Sequence, residues 1–204
     1  GNWHLMNWPI YIALGNHNKN FLQKYVSRKS QIIVENNFYF SDSGIEIGKN
    51  KKPVIAVFDI QPHRPYIHAK NAQVYEYYHP KTSEKFFDDI LTLSKEYNFN
   101  ILWKKKRKIG KTEHRYYKTL SKKLSSFENV MCPDPSISAH RIIEKANFVI
   151  NMPFTTTALI AKNLGKPSCY YDTLEIIDKN DQGSSNIEII HGYQNLSHWL
   201  KKNI

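Results

Sequence analysis

The stretch Asn147 to Asp172, NFVINMPFTTTALIAKNLGKPSCYYD, decides the architecture. An apolar run, NFVINM, stops at Pro153, a helical pattern opens after three threonines, and a second short apolar run, PSCYYD, closes the segment. Strand, helix and strand in that order make a βαβ unit, in which the two strands lie parallel and the helix is the crossover. Pro153 ends the first strand because it has no N–H to give to a sheet and fixes the backbone for a turn.

The threonines pose the functional question. They suit neither a strand interior nor the start of a core helix, yet they gather hydroxyls and backbone N–H groups in one place, as a bound anion requires. If Thr155 caps a helix that starts near Thr156, the hydroxyls of Thr156 and Thr157 and the first-turn N–H groups face outward at the positive end of the helix dipole. The same residues also read as one ordinary cap followed by two surface threonines.

Working outward, the βα pattern repeats from Lys52 onward, which predicts a parallel sheet. PVIAVFDI, Pro53 to Ile60, is the first strand and empties into the loop QPHRPYIHAKNAQVYEYYHP. A helix from about Ser83 carries Phe86, Phe87, Ile90, Leu93 and Tyr97 on one side, and NILWK, Asn100 to Lys104, is the second strand. A basic turn leads to a helix with Tyr116, Tyr117, Leu120 and Leu124, then to the short strand NVMCP and to the helix SISAHRIIEKA, capped by Ser136 or Ser138. NFVINM, PSCYYD and IEIIHG complete the strands, and YQNLSHWLKKN is the closing helix. The expected fold is α/β: a doubly wound, Rossmann-like sheet of about six strands with helices on both faces and right-handed crossovers.

Residues 1–50 read differently, with a helix near Phe21 to Val26, a strand QIIV and a Ser-, Asp- and Gly-rich loop, ENNFYFSDSGIEIGKNKK. They are expected to be the tail of a preceding domain plus a linker, with residues 51–204 as the Rossmann-like domain. The opening lacks an initiator Met and a signal-peptide pattern, so the chain reads as a piece of a longer protein.

Composition bounds the partners. The chain has 204 residues, 41% of them hydrophobic, enough for a sizeable core. Its formal charge of +11 implies anionic partners: nucleic acid, an acidic membrane surface or a phosphorylated small molecule. No apolar run approaches the roughly 18 to 20 residues needed to span a bilayer. Cys132 and Cys169 fall in segments read as buried strands and lack metal-ligand spacing, which suits small core residues in a reducing compartment. The aromatics sit at core spacing and form no stacking platform beside a basic groove, which ranks nucleic acid last. There is no Walker loop, glycine fingerprint, nucleophile elbow or HExxH.

In an open parallel sheet, ligands bind beyond the carboxyl ends of the strands. Besides the threonines, two other polar clusters fall there. WKKKRK offers Lys104 and Arg107 as phosphate clamps, or reads as a solvated turn. His63 and Arg64 sit between prolines that stiffen their loop, as a preorganised anion contact or as a rigid surface turn. Arg141 lies one strand from the threonines and serves either the ligand or an ion pair with Asp134.

DPSISAHRIIEKANFVINMPFTTTALIAKNLGKPSCYYD resembles the signature of bacterial surface polysaccharide biosynthesis proteins with a PFTS motif, taken to be GT-B-type glycosyltransferases. TTT stands here where that pattern has TST, and FDIQPHRP resembles the first strand and loop of the same proteins' C-terminal half. The resemblance runs from Pro53 to Asp172, with faint extensions at FLQKY and FYFSDSG. It implies a two-domain enzyme of capsule or O-antigen synthesis whose C-terminal half holds a nucleotide-sugar, without a metal or other cofactor. Thr155, Thr156 and Thr157 would bind the donor phosphate, and Tyr171 and Asp172 would lie near the base or ribose. The partners implied are the nucleotide-sugar donor and a glycan or lipid-linked acceptor. The location implied is the cytoplasm, where the basic surface would suit peripheral association at the inner membrane face.

The threonine turn also resembles the phosphate site of bacterial sialyltransferases and Kdo transferases, which use CMP-sugars. Those enzymes carry an HP motif after the second strand, whereas the HP here, His79 and Pro80, lies after the first. CMP-, UDP- and GDP-sugars therefore all remain open. A non-catalytic nucleotide-sugar or glycan-binding module and a GT-B-shaped epimerase are the alternatives. The isolated chain is expected to be inactive because half of the cleft is missing.

Overall fold

Four-residue apolar runs flanking an amphipathic helix build the first unit. Ile10–Ala13 (β1), Asn16–Tyr25 (α1) and Gln31–Val34 (β2) form a βαβ unit in which β1 and β2 pair in parallel. The alternation of β1 sends Tyr11 and Ala13 inward, where they bury with Leu22 of α1. The helix and the QIIV strand match the sequence reading. β1 is additional, because IYIA is too short for periodicity alone to separate it from a loop.

The computed structural model describes residues 8–13, 15–35, 52–71, 76–108 and 110–204. Its contacts divide the chain into Gly1–Tyr39 and Phe40–Ile204. The stretch read as a linker falls largely in residues 36–51, outside the described residues.

The second unit is built on Val54–Phe58 (β3), every residue of which is buried. Such a strand can only sit in the middle of a parallel sheet covered on both faces. After it come Pro65–Asn71 (α2), a 3-10 turn at Glu76–Tyr78, Pro80–Glu96 (α3), Asn100–Trp103 (β4), Arg115–Ser125 (α4) and Val130–Met131 (β5). Ala139–Lys145 (α5), Phe148–Asn151 (β6), Thr156–Asn163 (α6), Ser168–Asp172 (β7), Glu188–His191 (β8) and Gly192–Asn203 (α7) complete the chain. The six strands pair in parallel in the order β5-β4-β3-β6-β7-β8. Counted within this unit the order is 3-2-1-4-5-6, that of the Rossmann fold.

Strand alternation sorts the core into two layers. Ile55, Val57, Ile101, Trp103 and Ile150 face one side, packed with residues of α3, α4 and α7. Val54, Ala56, Phe58, Leu102 and Val149 face the other, packed with Ile142 and Ile143 of α5 and Ala161 of α6.

Three details differ from the sequence reading. The loop after β3 contains α2, which opens on Pro65, a residue whose fixed φ suits the first helical position. α3 begins at Pro80 instead of near Ser83, and His79 is its N-cap, with Nδ1 accepting from the Lys81 amide at 3.3 Å. The His-Pro pair therefore starts a helix. Cys169 is fully buried in β7 as expected, but β5 ends at Met131, which leaves Cys132 in the following loop and half-buried.

Ile150 occupies the strand on which the chain switches sides, and its side chain is completely buried. Ile150→Ala leaves a cavity there and lowers unfolding free energy by about 2–5 kcal/mol, to be read from the midpoint of chemical denaturation.

Candidate functional site

The chain leaves β3 on one side towards β4 and β5 and returns on the other side through β6. Loops at the carboxyl ends of β3 and β6 therefore diverge, and a crevice opens between them. A cavity of about 880 Å³ lies there. Four loops line it: Asp59, Gln61 and His63 after β3; Lys104, Lys106 and Arg107 after β4; Ser136–Ala139 before α5; and Pro153–Thr157 before α6. The three clusters read from the sequence converge, joined by the loop that leads into α5.

The turn before α6 is fixed by Asn151, the last residue of β6 and fully buried. Its Nδ2 donates to the Cys169 carbonyl on β7 at 3.2 Å, and its Oδ1 accepts from the Thr157 hydroxyl at 2.6 Å. Thr155 has the extended backbone of an N-cap, φ −78° and ψ 137°, as expected. Its hydroxyl, however, makes no cap bond and donates back to the Met152 carbonyl at 3.0 Å. The sequence reading is corrected here: the hydroxyls of Thr155 and Thr157 serve the turn itself. What faces outward is the exposed Thr156 and the first-turn N–H groups of Thr156 and Thr157. These lie ahead of Ala158, whose amide makes the first bond back, to the Thr155 carbonyl at 3.3 Å, and no earlier carbonyl of the helix can reach them.

The opposite wall is cationic. The Lys104 side chain is only 7% exposed, and Nζ donates to the carbonyls of Lys105 at 2.7 Å and Pro135 at 2.9 Å, tying the β4 loop to the loop before α5. An ammonium has three donors, so these two bonds leave one over on a residue that lines the cavity. Burial lowers the Lys104 pKa, with Asp134 pulling the other way. Gln61 clamps Arg107 through its main chain: Nε2 donates to the Arg107 carbonyl and Oε1 accepts from the Arg107 amide, both at 3.0 Å. The Arg107 side chain stays exposed at the rim.

His63 pairs with Glu113 in an antiparallel bridge, flanked by Arg64 N–H to the Thr112 carbonyl and His114 N–H to the Pro62 carbonyl, each 2.9 Å. The loops after β3 and β4 are thereby one bonded unit. His63 lines the cavity, while its neighbour Arg64 does not, because successive residues of an extended pair point to opposite sides.

Other expected site residues turn inward. Tyr171 is buried, and its hydroxyl donates to Asp89 Oδ2 at 2.6 Å. Asp172 is wholly buried and accepts from the amides of Leu174, Ile176 and Ile177 and from the Tyr77 hydroxyl, all at 3.0 Å. It organises the loop after β7, and neither residue lines the cavity. Arg141 is also outside the lining: it pairs with Glu144 one helical turn on at 2.9 Å, not with Asp134, which accepts from the Ser136 amide at 2.8 Å. Ser138 is the cap of α5, accepting from the Arg141 amide at 3.4 Å.

Sequence reasoning passed over Asp59, Gln61, Asn151 and Phe154. Their one signal was position, since each lies at or just beyond the carboxyl end of β3 or β6, where this fold gathers its ligands. Asp59 is 5% exposed; Oδ1 accepts from Trp103 Nε1 at 3.1 Å and Oδ2 from the Tyr117 hydroxyl at 2.5 Å, which ties β3 to β4 and α4. Burial raises its pKa above the ordinary 3.8, outweighing the two hydrogen bonds and the pull of Lys105.

With the folded pKa raised, the unfolded chain loses its Asp59 proton first. Stability therefore falls as pH rises from about 4 through the folded value. Asp59→Asn removes that ionisation, so the stability of wild type minus variant should decrease with rising pH across this window in denaturation curves. A difference that stays flat or climbs with pH contradicts the assignment.

Among the described residues no helix is long and apolar enough to cross a membrane. No curated protein matches the chain. A sequence model of the family described as "Polysaccharide biosynthesis PFTS motif protein" matches residues 2–200. That match reaches well beyond Pro53 to Asp172 and takes in most of the first fifty residues as well. Pro153-Phe154-Thr155-Thr156 stands in the place of the motif, at the turn that opens α6 on the cavity. The chain thus belongs to the polysaccharide biosynthesis PFTS motif family.

Proposed function

We propose that the cavity holds the nucleotide part of an activated sugar, and that the chain is the donor-binding part of a GT-B-type glycosyltransferase making capsule, O-antigen or a similar surface glycan. The observation that carries this reading is the cavity at the strand-order switch, with the free amide end of α6 on one wall and Lys104 on the other. Such a pairing suits a phosphate or diphosphate: amides and a helix dipole meet one side of the anion and a fixed ammonium the other. Lys106 and Arg107 at the rim add screening charge, and Arg107 can reach a phosphate in bidentate fashion.

In the proposed reaction the bond between the sugar's anomeric carbon and the donor phosphate oxygen breaks, and the nucleotide departs with the electron pair. A bond from the acceptor hydroxyl oxygen to that carbon forms, and the acceptor proton passes to a general base. The groups lining this cavity act on the leaving group: amides already oriented by α6, and an ammonium already held by two carbonyls, need little rearrangement as negative charge grows on the phosphate. The net charge of +11 suits work at the cytoplasmic membrane face, where lipid-linked acceptors present phosphate.

The proposal is tested by calorimetric titration of the chain with CMP, UDP and GDP. Thr156 is the first helical residue and follows an extended Thr155, so Thr156→Pro deletes one amide donor without disturbing the helix. We expect one nucleotide to bind preferentially, Thr156→Ala to bind it within a few-fold of wild type, and Thr156→Pro to weaken it about 10- to 100-fold, the cost of one hydrogen bond to a charged group. Lys104→Met should weaken it comparably. Equal affinity in Thr156→Ala and Thr156→Pro places the phosphate elsewhere.

A further inference from the structure

Phe154 is the aromatic residue of the PFTT turn. It carries φ +57°, a left-handed conformation that a bulky side chain adopts only at a cost. Its ring is 47% exposed and lines the cavity. One flank is supported: the Tyr170 ring lies 5.7 Å away at 44°, and Tyr170 is itself tied to the turn by its hydroxyl, which donates to the Thr155 carbonyl at 3.2 Å. The loop after β7 approaches at Gly183, where a methyl group would meet Phe154 Cε1 at 3.3 Å. The ring is therefore braced by groups of β7 and its loop, while the residue stays exposed and lines the cavity.

Burial does not explain such an arrangement, since an apolar ring left half in water forgoes much of its transfer energy. A strained backbone that holds an exposed aromatic beside a cavity is instead what a stacking surface needs. From this geometry, and resting on the nucleotide reading above, we infer that Phe154 is the platform on which the nucleobase stacks. The Phe154 Cα is one step, about 3.8 Å, from that of Thr155, the N-cap of α6, and both residues line the cavity. A base on the ring and a phosphate at the Thr156 and Thr157 amides, further along the same turn, would be the two ends of one nucleotide. The cavity then divides by chemistry: a stacking surface on the β7 side of the helix start, and the cationic and hydroxyl-bearing wall of Lys104, Ser136 and Ser138 on the β5 side. Stacking tolerates any base, because each presents a π face. Phe154 thus supplies affinity for a nucleotide over a simple sugar phosphate, and discrimination among bases falls to other groups.

The test compares two probes, whichever of CMP, UDP and GDP wild type binds best and ribose 5-phosphate, on wild type, Phe154→Ala, Phe154→Leu and Phe154→Tyr. Thermal melting confirms that each variant is folded, and Phe154→Leu keeps the apolar bulk should the alanine variant fail. We expect Phe154→Ala and Phe154→Leu to weaken the nucleotide about tenfold or more while leaving ribose 5-phosphate affinity unchanged, and Phe154→Tyr to retain both. Equal losses for the two probes make Phe154 a merely structural residue of the turn, and unchanged nucleotide affinity in a folded Phe154→Ala places the base elsewhere. Either result overturns the inference while wild-type binding leaves the nucleotide reading standing. Wild type that binds none of CMP, UDP or GDP overturns both.

Discussion

The parallel pairing of β3 with β6 is the constraint from which the rest of the second unit follows. β3 is buried on both faces, so it needs a strand on either side and a helix layer above and below. The chain meets that need by laying down β4 and β5 on one flank and then crossing to start again at β6 on the other. At that crossing the loops beyond the two central strands part, and the gap between them is the cavity. A site at this place is a consequence of strand order before any side chain is chosen.

Polar side chains buried at the strand ends then turn the gap into a shaped wall. Gln61 gives its amide to the Arg107 main chain as a strand neighbour would, which fastens the β4 loop across the end of β3. Asn151 does the same on the other flank, holding β7 with its nitrogen and the threonine turn with its oxygen. Lys104 spends two of its donors on carbonyls of adjoining loops, so its charge is fixed in place before any anion arrives. Asp59 sits among these groups with its carboxylate oxygens taken by Trp103 and Tyr117. Gln61, Lys104 and Asp59 each hold a loop and border the cavity, and Asn151 holds the turn that borders it, so fold stability and site geometry rest on the same bonds.

The strands of the second unit were legible because hydrophobic patterning is local: a run such as PVIAVF or NFVIN reads as a buried strand from its own residues, and the alternation of short runs with amphipathic helices is enough to predict a parallel sheet. The threonine turn was legible as a helix start for the same reason, since capping acts over three or four residues. Arg141 shows where this logic stops. Its sequence neighbourhood offers Asp134 and Glu144, and only the helical turn that places Glu144 over it decides the pair.

The amino-acid sequence by itself determined the order of the six strands of the second unit, the α/β class, the family motif and the convergence of three polar clusters at one sheet edge, because each depends on near neighbours along the chain. Tertiary structure alone decided which groups face the cavity. The Thr155 and Thr157 hydroxyls were drawn inward, Tyr171 and Asp172 were committed to Asp89 and to the loop amides, and Asp59 and Phe154 were brought to the wall. Those outcomes depend on partners brought near by the packing, and a hydrogen bond or a burial cost exists only once the fold has brought both partners together.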